Sequence, residues 1–565
     1  MDRYRIKKSI PDNIQKELSE YSPFLQQLLY NRGIETKEEA EVFLNPSYEE
    51  HLHDPFLLND MDKAVERILS AIERNEHISI YSDYDCDGIP GAVVLHDFFK
   101  NINYQHFSNF IPHRHYDGFG LSEPAVEKLA EEGVQLIITI DCGTTDIKAV
   151  KKAKELGVDV IITDHHQAKE VLPDAAAIVN PQIGEKYPFT GLCGAGVIFK
   201  VVQALLQKGE FDFKDGMEKW YLDMVGLATI ADMVPLIDEN RALAYYGLRV
   251  LQKSRRPGLQ QLLKKQRVEQ RYITEDDIGF VIGPRINASS RMGVPEDAFG
   301  MLATDDVSKA GMYLEHLEKL NTQRKTEVTT ITKSAHKKIK ILTKVPDVIV
   351  LGDSKYRPSL VGLTASKLAE EYNRPTFVWG RDGNGCIKGS CRSNGTISVI
   401  TLMEAVSDHL LGFGGHHMAG GFEVDDIKIH TLSKEMNDAY KRVSDVAHID
   451  VVHDVDLELA LDEVTPVLLQ EQKRLAPFGE GNKKPLYKFK DVHVQEVSLF
   501  GKGKEHTKLQ LETSGCIKEA IAFFKKPDEF TISPESEKKV TLLAYMEESY
   551  FMGRLQVRLR LVDVL

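Results

Sequence analysis

The sequence predicts an α/β protein: a parallel sheet covered by helices, a long helical connector, a second, smaller α/β domain and a C-terminal β-barrel. Three observations carry this. Between residues 77 and 240, short β-branched runs ("HISIYSD", "QLIITID", "DVIITDHH", "AAAIVNP") alternate with helix-like stretches such as "SEPAVEKLAEEG" and "TDIKAVKKAKELG". Continuous apolar strands alternating with helices imply a parallel sheet buried on both faces. Residues 297–340 contain no proline and read as helix. After residue 450, segments such as "KFKDVHVQEVSLFGKG" and "HTKLQLETSG" show strand-like alternation broken by turns, the pattern of a small barrel.

In chain order, residues 1–50 are expected to form an N-terminal segment, 51–296 the first α/β domain, 297–340 the connector, 341–448 the second α/β domain and 449–565 the barrel. In the second domain "PDVIVLGD" and "RPTFVWG" are strands, "SLVGLTASKLAEEY" a helix and "LGFGGHHMAGGF" a glycine-dense loop. A chain of 565 residues exceeds the usual size of one hydrophobic core, which fits this division. The N-terminus "MDRYRIKKSIPDN" lacks the apolar core of a signal peptide, and no apolar run is long enough to cross a bilayer, so a cytoplasmic protein without membrane partners is expected. Six scattered cysteines without a C-x-x-C pair suggest reduced thiols rather than disulfides or zinc. A formal charge of −14 argues against coating nucleic acid by charge alone, so any such binding is focused in a local groove.

The chemistry is expected at the carboxyl ends of the first sheet, where ligands of open α/β sheets collect. "YSDYDCDG" places Asp83, Asp85 and Asp87 within five positions, the next strand ends at Asp141, and the following one at Asp164, His165 and His166. Repulsion among clustered carboxylates is relieved when they ligate cations. Carboxylates mixed with imidazole, without thiolate, suit Mn²⁺ or Mg²⁺. Two such ions about 3.5–4 Å apart can hold both the attacking and the leaving oxygen of a phosphoryl transfer. A two-metal phosphoesterase is the reading. A solvated acidic loop is the plainer alternative for Asp83 taken alone, and a packed core pair for His165 and His166.

In order along the chain, "SDYDCDG", "TIDCG", "TDHH" and "GLATIADMVPL" resemble the four motifs of the DHH phosphoesterase superfamily. "GPRINASSRMG" and "GGHHMAGG" resemble its RecJ branch, the 5′-to-3′ single-strand-specific DNA exonucleases, and the match runs from about residue 50 to the C-terminus. The resemblance implies that the second α/β domain is a DHHA1 domain and the barrel an oligonucleotide-binding fold. It implies Asp83, Asp85, Asp87, Asp141, His165 and Asp232 as metal ligands, with Asp141 the bridge and His166 beside the leaving phosphate. Asp232 enters only in this way. Asp83 takes a role that other branches give to a histidine, where this chain has Tyr81.

Recognition of the 5′-phosphate is implied for Arg285, Ser390 and Arg392, with Arg114 near the entrance, and guanidinium groups suit that task because they offer a rigid fork of donors. In "GGHHMAGG", Gly415 lets the backbone approach the phosphate and His416 donates to a non-bridging oxygen. Phe500, Lys502, Lys504, Lys508 and Tyr550 are the barrel's expected strand contacts, although barrel aromatics also pack cores. Arg357 and Ser359 stand where the family usually has a histidine and a glycine, which puts substrate contacts there in doubt.

The expected activity is removal of nucleotides from the 5′ end of single-stranded DNA in recombination and repair. It would use two Mn²⁺ or Mg²⁺ ions and an entrance too narrow for a duplex. Expected partners are single-stranded DNA and a helicase or single-strand-binding protein. The chain's end at Leu565, directly after the barrel, suggests a short form lacking a further C-terminal domain. Two alternatives stay open: a DHH phosphodiesterase acting on cyclic dinucleotides or short RNA, and a catalytically inactive DNA-binding scaffold of the same fold.

Overall fold

The computed structural model describes residues 4–447, 453–501, 503–513, 515, 517–551 and 554–565. The chain forms two compact units, one of residues 53–234 and 246–451, the other of residues 1–52, 235–245 and 452–565.

The larger unit opens with β1 (Ile78–Ser82), α1 (Gly88–Asn101), β2 (Phe107–Phe110), α2 (Glu123–Glu131), β3 (Leu136–Ile140), α3 (Ile147–Glu155), β4 (Asp159–Thr163), β5 (Ala177–Val179), α4 (Gly194–Lys208) and α5 (Leu222–Ala231). The five strands form a wholly parallel sheet in the order β2-β1-β3-β4-β5. Every residue of β1 and β3 is buried, as expected for strands covered on both faces. Helices α2 and α3 bury Ala125, Val126, Leu129, Ala149, Val150 and Ala153 with Ile137 and Ile162 of the sheet. Helices α1 and α4 pack together. Register then decides where the chemistry sits: Ser82 pairs with Ile140 and Ile140 with Thr163, so the residues that follow, Asp83, Asp141 and Asp164, leave the sheet side by side.

Beyond a π-helical turn at Ile278–Ile282 come α6 (Gly283–Met292) and α7 (Val307–Lys340). The helical stretch expected over 297–340 is broken once. A short helix, Glu296–Ala303, ends at extended Thr304, and Asp306 restarts the chain by accepting from the backbone N–H groups of Ser308 and Lys309. The 34 residues of α7 span about 50 Å at 1.5 Å per residue. It packs on α6 at one end. At the other, its residues Ile331, Ala335 and Ile339 share a core with the second sheet and α8 (Pro358–Tyr372). That sheet comprises β6 (Ile349–Gly352), β7 (Thr376–Arg381), β8 (Ile387–Arg392), β9 (Gly412–Gly415) and β10 (Ala419–Val424) in the order β9-β10-β8-β7-β6, with only β6 and β7 parallel.

In the smaller unit, β11 (Leu457–Glu458), β12 (Tyr487–Phe500), β13 (His506–Glu512), β14 (Ile517–Ala522), β15 (Lys538–Phe551) and β16 (Arg554–Val564) run in the order β11-β12-β13-β14-β16-β15. Pairing of β12 with β15 closes five of them into a barrel. Residues 1–50 are part of this unit's core: Leu25, Leu28 and Leu29 are fully buried in one cluster with Tyr487, Phe489, Leu509 and Leu542. Each such leucine contributes roughly 1.5–3 kcal/mol. Strand Tyr4–Ile6 also pairs in parallel with His453–Val455. On the barrel, Phe500 lies 5.0 Å from His506 and 6.0 Å from Phe523 between ring centroids, while Lys508 is paired with Glu519. Lys502 lies outside the described residues, as does the side chain of Tyr550. Among the described residues no helix is long and apolar enough to cross a membrane.

Candidate metal centre

The acidic strand ends are held by backbone that leaves the chain little choice. Asp83 continues β1 by donating its N–H to Ile140 O (3.0 Å), and α1 starts so close beneath it that a Cβ on Gly88 would lie 2.4 Å from Asp83 O. Asp85 Oδ1 accepts from the N–H groups of Asp87 (2.8 Å) and Gly88 (3.2 Å), closing the turn into α1. Asp87 accepts from Gly194 and Ala195 at the N-terminus of α4, where helical N–H groups favour a carboxylate. Asp141 adopts φ +62°, a conformation that side chains rarely take and that costs about 1–3 kcal/mol. A Cβ at position 194 would come within 2.5 Å of Asp141 Cβ, which requires Gly194. Asp232 caps the C-terminus of α5.

These elements bring all six predicted ligands together. Three sets offer donor atoms within 4.8 Å of one another: Asp83, Asp85 and Asp141; Asp87, His165 and Asp232; and Asp141, His165 and His166. His165 Nε2 stands 3.1 Å from Asp141 Oδ1, 3.7 Å from Asp87 Oδ2 and 3.8 Å from Asp232 Oδ2. Tyr81 is buried with its hydroxyl donating to Gly120 O (2.8 Å), so it serves the fold while Asp83 enters the cluster.

Burial and the charges of their neighbours push Asp83, Asp87 and Asp141 upward, and burial together with Asp87 and Asp85 pushes Asp232 up to about 9. Burial pulls the imidazole of His165 down, leaving it a neutral donor. Asp83 Oδ1 and Asp141 Oδ1 are buried without a hydrogen bond. Buried carboxylate oxygens that lack donors and repel one another fit divalent cations, which supply the missing charge. The neighbouring thiols of Cys86, Cys142 and Cys193 are pushed up by burial, so the donor set is hard oxygen with imidazole nitrogen, suited to Mn²⁺ or Mg²⁺.

His166 is oriented by Asp164, which the sequence places at the strand end without assigning it a role. Asp164 Oδ1 accepts from His166 Nδ1 (2.8 Å) and from the N–H groups of His165 and His166, while Oδ2 accepts from Thr144 N–H (3.0 Å). Burial pulls His166 down, but the hydrogen bond and charge of Asp164 outweigh it and push the pKa up to about 9. The same bonds hold Asp164 well below the usual carboxylate range despite its burial. Asn180 Nδ2 secures the arrangement by donating to His166 O and Thr144 Oγ1.

The residues expected to bind the 5′-phosphate divide into two groups. Arg114 lies 4.9 Å over the ring of Tyr84. Ser390 and Arg392 sit on β8 against α8, where a Cβ on Gly362 would meet Ser390 Oγ at 3.1 Å and Arg392 Nη2 at 3.3 Å. Gly415 (φ +137°) ends the exposed β9 and His416 follows it, at the same end of the sheet as Arg392, which pairs with Ala419. Arg291, five residues past the "PRI" of its motif and unselected by the sequence reading, joins them: burial and the charges of Arg114, Arg324 and Arg392 pull its pKa down to about 9. Ser359 and Arg291 are interlocked, with Ser359 Oγ donating to Arg291 O (2.8 Å) and Arg291 Nη1 to Ser359 O (2.7 Å). Arg357 faces Glu327 at 3.5 Å. Arg285 differs: it is buried, and Nε donates to Glu318 (2.6 Å) and Nη1 to Val281 O (2.7 Å), which ties α6 to α7.

Known families match in the order of the fold. Residues 77–229 match the DHH family, N-terminal domain, residues 343–446 the DHHA1 domain, and residues 455–563 the RecJ OB domain. The single-stranded-DNA-specific exonuclease RecJ of Bacillus subtilis is 33% identical over 566 residues, covering 99% of this chain and 70% of that protein. The likeness therefore includes the N-terminal residues as well. The crystal structure of RecJ in complex with Mn²⁺ from Thermus thermophilus superposes with a TM-score of 0.82 at 27% identity, covering 100% of this chain and 79% of that one. The Mg²⁺ complex from the same organism gives a TM-score of 0.75 at 25% identity, covering 100% and 78%.

Proposed function

Because the chain belongs to the RecJ family of single-stranded-DNA-specific exonucleases, we propose that it removes nucleotides stepwise from the 5′ end of single-stranded DNA, using two Mn²⁺ or Mg²⁺ ions. The observation that carries this reading is the cluster of five aspartates and His165, in which Asp83, Asp87 and Asp141 are buried and Asp83 Oδ1 and Asp141 Oδ1 make no hydrogen bond. Asp83, Asp85 and Asp141 would hold one ion, and Asp87, His165 and Asp232 the other. When bound, the ions supply Lewis acidity at the phosphorus and make water a nucleophile near neutral pH.

The remaining work falls to the chain's own residues. Asp164 accepts from Nδ1 of His166 and holds the ring in one orientation, which leaves Nε2 free to face the departing oxygen. Arg114, Arg291 and Arg392, with Ser390, collect the terminal phosphate, and the direction of digestion follows from anchoring that end. His416 contributes a donor from the β9–β10 turn. Arg285 supports this end by bracing α6 against α7. We further place the enzyme in the cytoplasm in the service of a helicase or single-strand-binding protein, since an enzyme confined to single strands depends on others to expose them.

The direct test is digestion of 5′-phosphorylated single-stranded DNA, duplex DNA, RNA and cyclic dinucleotides with Mn²⁺, with and without chelator. Rapid, chelator-sensitive loss of single-stranded DNA alone is expected. Preference for dinucleotides or RNA, or binding without cleavage, would overturn the reading.

A further inference from the structure

The loop after β2 presents two rings to solvent that the chemistry above leaves unused. Tyr116 is 67% and Phe119 55% exposed, although aromatic side chains ordinarily bury their faces. Phe119 does not hang from a slack loop. Gly118 and Gly120 on either side take positive φ (85° and 82°), Tyr81 donates to Gly120 O, and Leu121 N–H donates to Asp146 Oδ2 (2.7 Å). Position 120 must be glycine, because a Cβ there would lie 2.5 Å from Asp146 Oδ2. The anchored phenyl ring stands edge-on to His166, with centroids 5.5 Å apart at 74°. Tyr116 lies against the turn of the second subdomain, where a Cβ on Gly383 would meet its Cε1 at 2.9 Å. Arg114 precedes both. Within six residues the loop therefore offers a guanidinium for phosphate and two aromatic faces, the combination that binds single-stranded nucleic acid by charge and stacking.

We propose that Phe119 is a base-stacking platform that receives one of the two nucleobases flanking the scissile phosphodiester. This rests on the exonuclease reading. A base in a single strand can turn onto the ring at little cost, whereas in a duplex both its faces are covered and its release costs unstacking and unpairing. Phe119 thereby makes an unpaired base a condition of productive binding, for purines and pyrimidines alike.

The test uses the full-length Mn²⁺-loaded enzyme as wild type, Phe119→Leu, which keeps volume without a π-face, and Phe119→Trp. Substrates are 5′-phosphorylated single strands with either a normal base or an abasic unit at the first or second position. In the wild type an abasic unit at one of these positions is expected to raise KM about tenfold, within the range for one stacked base. Phe119→Leu should raise KM on the intact strand by a similar factor and show no added abasic penalty, and Phe119→Trp should restore the discrimination. An abasic penalty in Phe119→Leu equal to that of the wild type would overturn the proposal. So would a fall in kcat common to both substrates, which would make the ring a prop for His166. A wild type that degrades no single strands would instead sink the exonuclease reading itself.

Discussion

Asp164 determines what His166 is able to do, because it fixes the imidazole's orientation through one 2.8 Å contact. Asp164→Ala is expected to lower kcat about 10–100-fold, the usual cost of losing an outer partner of a metal site, while KM and Mn²⁺ stoichiometry hold. Steady-state kinetics beside calorimetric titration check this. At this scale much was legible. Asp83, Asp85, Asp87, Asp141 and His165 could be picked out because they lie at or within five residues of the ends of apolar strands, and strand ends on one side of a parallel sheet must meet. Asp232 was not legible from pattern, since an aspartate at a helix end is ordinary and only the fold brings it within 3.8 Å of His165. Nor could spacing show the surroundings of Arg285 and Arg291 in one motif: Arg285 is paired with Glu318, on another helix, whereas the charges of other arginines act on Arg291.

Among the elements, the centre depends on α4 approaching the end of β3 more closely than any side chain permits. Gly194 supplies an N–H to Asp87 and lies beneath Asp141, so Gly194→Ala must push Asp141 out of its left-handed conformation. Activity is expected to fall at least 100-fold with loss of at least one bound Mn²⁺, while the far-ultraviolet dichroism stays that of the wild type. Alternating strands and helices made the first sheet readable, and its register followed from parallel pairing. What could not be read was the break at Thr304–Asp306, because a threonine and two aspartates interrupt a helical pattern no more strongly than they cap one. The contribution of residues 1–50 to the barrel core was equally hidden, since it rests on contacts between distant positions, such as Asn31 with Asp456, 425 residues apart.

For the molecule as a whole, the proposed ligands and the proposed phosphate-binding groups are divided between two subdomains of the larger unit that α7 joins. All six predicted metal ligands lie before α6, whereas Ser390, Arg392 and His416 lie beyond α7. Lys325→Pro, at an exposed position in the interior of that helix, costs about 3 kcal/mol or more locally and kinks it. Mn²⁺ stoichiometry is expected to survive, and turnover of 5′-phosphorylated single strands to drop more than tenfold. Loss of both together would show that the two halves fold as one.

The central claim is that the buried carboxylates form a two-ion centre on which hydrolysis depends, and calorimetric titration of Mn²⁺ into the chelator-treated protein tests it most directly. Two ions per chain are expected in the wild type, and at least one fewer in an inactive Asp141→Asn variant. Fewer than two ions in a fully active wild type, or two ions and undiminished activity in Asp141→Asn, would contradict it.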